Sequence, residues 1–161
     1  MTLNEYNCCV DSHADGVYRF ILKNLKDAED ARDVVQDAFE KLWRNRHAVG
    51  AGKGKSYLFT TAYHTMIDLI RKKQHNRQME DLPEPAGRDT GTYNDLKEVL
   101  DEALGRLSEV QRSVVLLRDY EGYSYREIGE ITGLNESQVK VYIYRARTFL
   151  KNYIVNPELV I

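Results

Sequence analysis

The chain has 161 residues, room for one ordinary domain or two small ones, and its apolar and charged content is globular, which excludes wholesale disorder. A formal net charge of −2 excludes a surface that clings everywhere to nucleic acid, and no window approaches the roughly 20 apolar residues that a membrane span needs. The adjacent Cys8 and Cys9 suit no disulfide framework and MTLNEYNCCV has no signal-peptide pattern, so the expectation is a soluble cytoplasmic chain with reduced thiols.

Every periodic segment reads as helix, which makes the expected fold all-α. Val17, Phe20, Ile21 and Leu25 recur at three and four residues and predict a first helix. Asp27 can cap a second, with Ala31, Val34, Val35, Ala38, Phe39 and Leu42 as its apolar stripe and Trp43 at the stripe's edge. The glycine-rich AVGAGKGK, Ala48 to Lys55, predicts a loop. A third helix follows from about Ser56 to Lys73, with Leu58, Phe59, Ala62, Met66, Leu69 and Ile70 facing inward.

Residues 78–93 hold Pro83, Pro85, Gly87 and Gly91 without apolar periodicity and predict a flexible linker. As a coil, about 14 such residues span roughly 20 Å, and pulled straight at most about 50 Å. The expected organisation is two small helical domains, 1–77 and 94–161, able to occupy separate neighbouring sites. Charge follows the same division. Arg71, Lys72, Lys73 and Arg77 form one basic station, and Lys140, Arg145, Arg147 and Lys151 another. Between them Glu80, Asp81, Glu84, Asp89, Asp95, Glu98, Asp101 and Glu102 make the connector acidic, a stretch that DNA would repel.

The second domain opens with Leu96, Val99, Leu100, Ala103, Leu104 and Leu107 at helical spacing. Three capping-box pairs follow: Ser108 with Gln111, Ser124 with Glu127, and Asn135 with Gln138. They predict helices of about 12, 9 and 16 residues broken at Gly122 and Gly133. SYREIGEITGLNESQVKVYIYRARTFL then reads as a helix-turn-helix. Ile128 and Ile131 bury its first helix, Gly133 ends it, and Leu134 fills the gap. Val139, Ile143, Ala146 and Leu150 anchor the second helix. That leaves Ser137, Gln138, Lys140, Val141, Tyr144, Arg145 and Thr148 on a face that can meet phosphates, base edges or a thymine methyl. A trihelical bundle with a merely solvated basic helix is the blander alternative, and turn chemistry and cap spacing count against it.

Two other function classes fare worse. A stand-alone regulator needs a dimerising or ligand-binding domain, and the N-terminal half has no pocket signature. A metal enzyme could start from His64 and Asp68, four apart on one helix, but no HExxH motif or carboxylate cluster completes a site. No cofactor and no catalytic residue are expected.

Three segments, in order, resemble the extracytoplasmic-function group of bacterial RNA polymerase sigma factors over about residues 12–153. DARDVVQDAFEKLW (Asp30 to Trp43) is similar to the family's region two helix, and YLFTTAYHTMIDLIRKK (Tyr57 to Lys73) to its promoter-melting helix. The run from Ala103 to Leu150 is similar to region four. The resemblance implies a factor that binds core RNA polymerase and promoter DNA and directs DNA opening, without catalysis of its own. It places Asp33, Val34, Gln36, Asp37 and Glu40 on the polymerase-docking face. It gives Tyr57, Phe59, Tyr63, His64, Arg71, Lys72 and Lys73 to the minus-ten element, where aromatics hold unstacked bases and cations hold the strand. Asp68 matches the family's "ID" aspartate and organises the helix. To the minus-thirty-five element it gives Ser137, Gln138, Lys140, Val141, Tyr144, Arg145 and Arg147.

Departures bear on specificity. His64 stands where Asn is common, Val141 where Ser is frequent and Tyr142 where Arg is frequent, which shifts reading towards apolar contact and weakens the salt-dependent term. The tail Asn156–Ile161 is too short to inhibit in cis, so the resemblance implies control by a separate anti-sigma factor.

Overall fold

The computed structural model describes residues 1–80 and 96–155. Among these residues seven α-helices run in the order α1 (Leu3–Leu25), α2 (Ala28–Arg44), α3 (Gly54–Glu80), α4 (Leu96–Arg106), α5 (Glu109–Val115), α6 (Tyr125–Thr132) and α7 (Glu136–Val155). A short 3-10 turn at Ala51–Lys53 leads into α3, and a π-helical turn at Leu116–Tyr120 prolongs α5. Among the described residues there is no strand, and no helix is long and apolar enough to cross a membrane.

Local chemistry explains most of the boundaries. Thr2 and Glu5 form a capping box that starts α1 well before the first apolar repeat, and Tyr6 and Cys9 thereby join the apolar cluster. Asp27 caps α2 as expected, accepting from the N–H groups of Glu29 and Asp30. α3 begins at Gly54 and continues to Glu80, so residues 78–80 of the expected linker are helical. The rest of that linker, and the tail 156–161, lie outside the described residues.

In the C-terminal region the boxes at Ser124/Glu127 and Asn135/Gln138 close in both directions, whereas Ser108 accepts from the Gln111 N–H alone. Gly133 ends α6 in the left-handed region, φ 81°, a conformation that only glycine adopts without strain. At the π turn the Glu121 N–H reaches back five residues to the Leu116 carbonyl, 3.1 Å away.

How the two regions sit on each other is left open by the sequence. The two helical regions do not stand apart but share a continuous apolar cluster. α1, α2 and α3 pack on one another, and α7 gathers α4, α5 and α6. The two groups meet where α3 packs on α6 and α1 on α5. Phe59 is the hinge of this core, its ring 5.8 Å from Phe20 and 5.3 Å edge-on from Tyr123. Full burial of each such side chain stabilises by about 1.5–3 kcal/mol.

Candidate nucleic-acid interface

The helix-turn-helix forms as its turn chemistry requires. Gly129 in α6 lies so close to the Leu134 carbonyl that a Cβ would approach it to 2.7 Å, and this contact sets α6 against the turn. Val139, Ile143 and Ala146 are buried, and the opposite face of α7 is open. On it Tyr144 is 73% exposed and Val141 45%, beside exposed Ser137, Lys140, Arg145 and Thr148. Gln138 is exposed, yet its side chain is occupied by the Asn135 cap.

Two of the basic side chains on this helix are steered by neighbours. Lys140 lies 3.8 Å from Glu136 and over the Tyr125 ring. Arg147 reaches Asp119 of the π turn with two nitrogens, and this hydrogen bonding to the carboxylate raises the guanidinium pKa. Arg147 therefore braces α7 against the end of α5. Asp119 was not singled out from sequence, because a lone aspartate 28 residues from its partner carries no periodic signal. At the start of α6, hydrogen bonds from Ser124 hold the Glu127 carboxyl below its ordinary range.

The expected minus-ten residues divide in two. His64, Asp68, Arg71 and Lys72 are exposed along α3, with the His64 ring 5.4 Å from that of Tyr63. Lys73, also exposed, is ion-paired with Asp30 of α2. Phe59 is 1% exposed and Tyr63 5%, so neither ring is open to a base in this conformation. Burial, with Glu109 of α5 adding to it, raises the Tyr63 hydroxyl pKa. Tyr57 is half-buried; its hydroxyl accepts from the Asn45 amide (2.9 Å) and donates to the Lys41 carbonyl (3.3 Å), tying α3 to the end of α2.

On α2, Asp33, Gln36 and Glu40 are exposed and Asp37 is half-buried. Asp37 pairs with Lys41 at 3.0 Å and accepts from Thr65 at 3.4 Å. Val34 corrects the expectation of a docking residue. It is 3% exposed and in the core, because it falls on the same stripe as Ala31, Ala38 and Leu42. At the C-terminal end of α2, Arg46 stacks on the Trp43 ring at 3.9 Å, and Tyr6 meets the same ring edge-on. No group of three or more His, Cys, Asp or Glu side chains that could hold a metal occurs among the described residues.

Comparison with known proteins covers both regions. Residues 9–76 match the family model for sigma-70 region 2, and residues 97–150 that for sigma-70, region 4. The RNA polymerase sigma factor SigV of Bacillus subtilis is 30% identical over 156 residues, 94% of this chain and 92% of that protein. The ECF RNA polymerase sigma factor SigM of Bacillus subtilis is 29% identical, across 98% of this chain and all of its own length. In fold, the chain is similar to the sigma factor RpoE solved with the anti-sigma factor NepR from Bartonella quintana. The TM-score is 0.80 at 23% identity, covering 97% of this chain and 99% of that one.

Proposed function

The chain belongs to the sigma-70 family of RNA polymerase sigma factors, in the extracytoplasmic-function group, and from that premise we propose how its surfaces share the work. As such a factor it binds core RNA polymerase and directs promoter recognition and DNA opening at the start of transcription. Its partners are the core enzyme, promoter DNA and an anti-sigma factor. It works in the cytoplasm and has no catalytic activity of its own.

Residues 1–77 dock on the polymerase and grip the minus-ten element, residues 94–161 grip the minus-thirty-five element, and 78–93 connect them. Asp33, Gln36, Asp37 and Glu40 present an acidic helix face that suits a basic partner. Arg71 and Lys72 hold the opened strand by its phosphates, while Tyr57 and, once uncovered, Tyr63 offer faces for unstacked bases. In α7, Lys140 and Arg145 meet phosphates or base edges and Val141 packs on a thymine methyl. The observation that carries this reading is the open face of α7, where Val141 and Tyr144 are uncovered beside two cations. Neither grip need be tight, because tethering both to polymerase raises the effective concentration of each at its element.

A pull-down with core polymerase followed by run-off transcription tests the reading. Retention on core and a discrete transcript are expected. A chain that neither binds core nor starts transcription from any promoter would overturn it.

A further inference from the structure

Arg71, Lys72 and Lys73 are consecutive cations, and an α-helix sends consecutive side chains out about 100° apart. Arg71 falls in line with His64, Asp68 and His75 at spacings of three and four residues, so these exposed groups share one side of α3. Lys73 is nine residues from His64, about half a turn round the axis, and stands on the opposite side. There it is ion-paired with Asp30 in the first turn of α2, where a helix N-terminus suits a carboxylate. Lys73 and Asp30 therefore join the strand-gripping helix to the helix that carries the proposed docking face.

The end of α3 needs such a tie. From Arg71 to Gln78 every residue is exposed, so beyond Ile70 apolar packing no longer holds the helix to the body. A solvated helix end of this kind frays and changes direction readily. Further back, α3 is fastened to α2 by the Tyr57 hydroxyl at Lys41 and Asn45 and by the Thr65 hydroxyl at Asp37. Tyr57, Thr65 and Lys73 follow one another at intervals of eight residues, about 12 Å of helix, and the last of them carries the series past the apolar contacts. A half-exposed pair adds little to overall stability. Choosing one direction for a loose end takes little energy.

Resting on the function proposed above, we infer that Asp30 is a positioning residue of the minus-ten grip, acting through Lys73. The pair fixes the basic end of α3 on the docking helix, so that Arg71 and Lys72 are presented to the opened strand while Lys73 itself takes no phosphate. Docking face and strand grip then move as one piece, and seating α2 on polymerase also places Arg71.

Promoter opening by the full chain, read with permanganate at saturating core polymerase over a range of salt, tests the assignment. Lys72→Gln should flatten the salt slope by about 0.7, as loss of one single-strand phosphate contact does. Lys73→Gln should leave the slope unchanged and lower opening about two- to fivefold at every salt, the most that an exposed pair can give. Asp30→Asn should do the same, D30N/K73Q should lose no more than either single variant, and Lys73→Arg should open as wild type does. In the free protein, amide exchange over residues 71–78 should quicken in Asp30→Asn and in Lys73→Gln. A slope that flattens in Lys73→Gln as in Lys72→Gln would make Lys73 a phosphate ligand, and opening improved by Asp30→Asn would make Asp30 a mask. Either result overturns the inference, as do unchanged opening in both single variants, additive losses in the double variant, or unchanged exchange. A wild type that directs no initiation would strike instead at the function proposed above, and the exchange series would still decide the tie.

Discussion

The two helices proposed to touch promoter DNA are held in opposite ways. In α7 the working face points out of the fold, with Tyr144 and Val141 uncovered and a separate buried stripe anchoring the helix. In α3 the aromatic groups turn inward, and Phe59 and Tyr63 are packed against the rest of the molecule while the cations Arg71 and Lys72 remain outside. The chemistry of the two proposed targets fits the difference. A duplex presents a preformed groove, which a rigid exposed helix can enter directly. Unpaired bases are held by apolar and aromatic surfaces, which left open in water are association hazards. A helix that reads duplex can therefore stay displayed, whereas Phe59 and Tyr63 would have to be uncovered before either ring could meet a base.

The largest effect expected from this contrast is on stability. Phe59→Ala should cost about 3–5 kcal/mol, as emptying a well-packed aromatic site does. Tyr144→Ala should stay within about 0.5 kcal/mol of wild type, as exposed substitutions do, yet lose about 1–3 kcal/mol in minus-thirty-five binding by the holoenzyme. Denaturant melts and promoter titrations read the two numbers, and similar stability losses in both variants would break the contrast. Next is Gly129→Val, whose side chain would be driven into the Leu134 carbonyl; overpacking of this kind costs about 1–3 kcal/mol. Minus-thirty-five binding should fall with it, since the turn no longer presents α7, while binding to core polymerase persists.

Tyr57 sharpens the inward side of the comparison. Tyr57→Phe loses the hydroxyl's bonds to Asn45 and Lys41 and should cost about 1 kcal/mol of stability. Tyr57→Ala should in addition spare duplex binding by holoenzyme but impair promoter opening, seen as lost permanganate reactivity. If duplex binding and opening fall equally, the ring is a brace between α2 and α3 and nothing more.

The smallest effect is at the α6 cap. Ser124→Ala should cost about 1 kcal/mol. Because hydrogen bonds from Ser124 lower the Glu127 pKa in the folded state, the carboxylate's contribution is full above its unfolded value, about 4.3. It is lost as pH falls through the folded value. Glu127→Gln should therefore flatten the acid limb of the stability profile, and an unchanged limb would assign that limb to other carboxylates.

Much of the C-terminal region was legible in the chain because its signals are local. Ser124 with Glu127, Asn135 with Gln138, and Gly133 are each decided within three or four residues, and all behave as their spacing says. The stripe on α2 was equally plain, yet it also exposed an error. Val34 shares the period of Ala31 and Ala38, which argued for burial more strongly than the family motif argued for docking. Phe59 and Tyr63 show the complementary limit, since an aromatic at helical spacing serves core or ligand equally well until its neighbours are known. Nothing near Asp119 or Glu121 in sequence announces Arg147 or Arg19 as partner.

Sequence alone determined the all-helical class, the caps of the helix-turn-helix and the side of its second helix that stays open. These rest on periodicity, caps and composition, which act over a turn or two of chain. Only the tertiary structure decided that the regions close on each other, that Phe59 joins their cores, and that Arg19 and Lys23 of α1 meet Glu121 and Asp101. Those are pairings between residues about 60 to 100 positions apart, such as Phe59 with Tyr123 and Arg19 with Glu121. Their energy depends on which faces the packing brings together, and no local pattern encodes that choice.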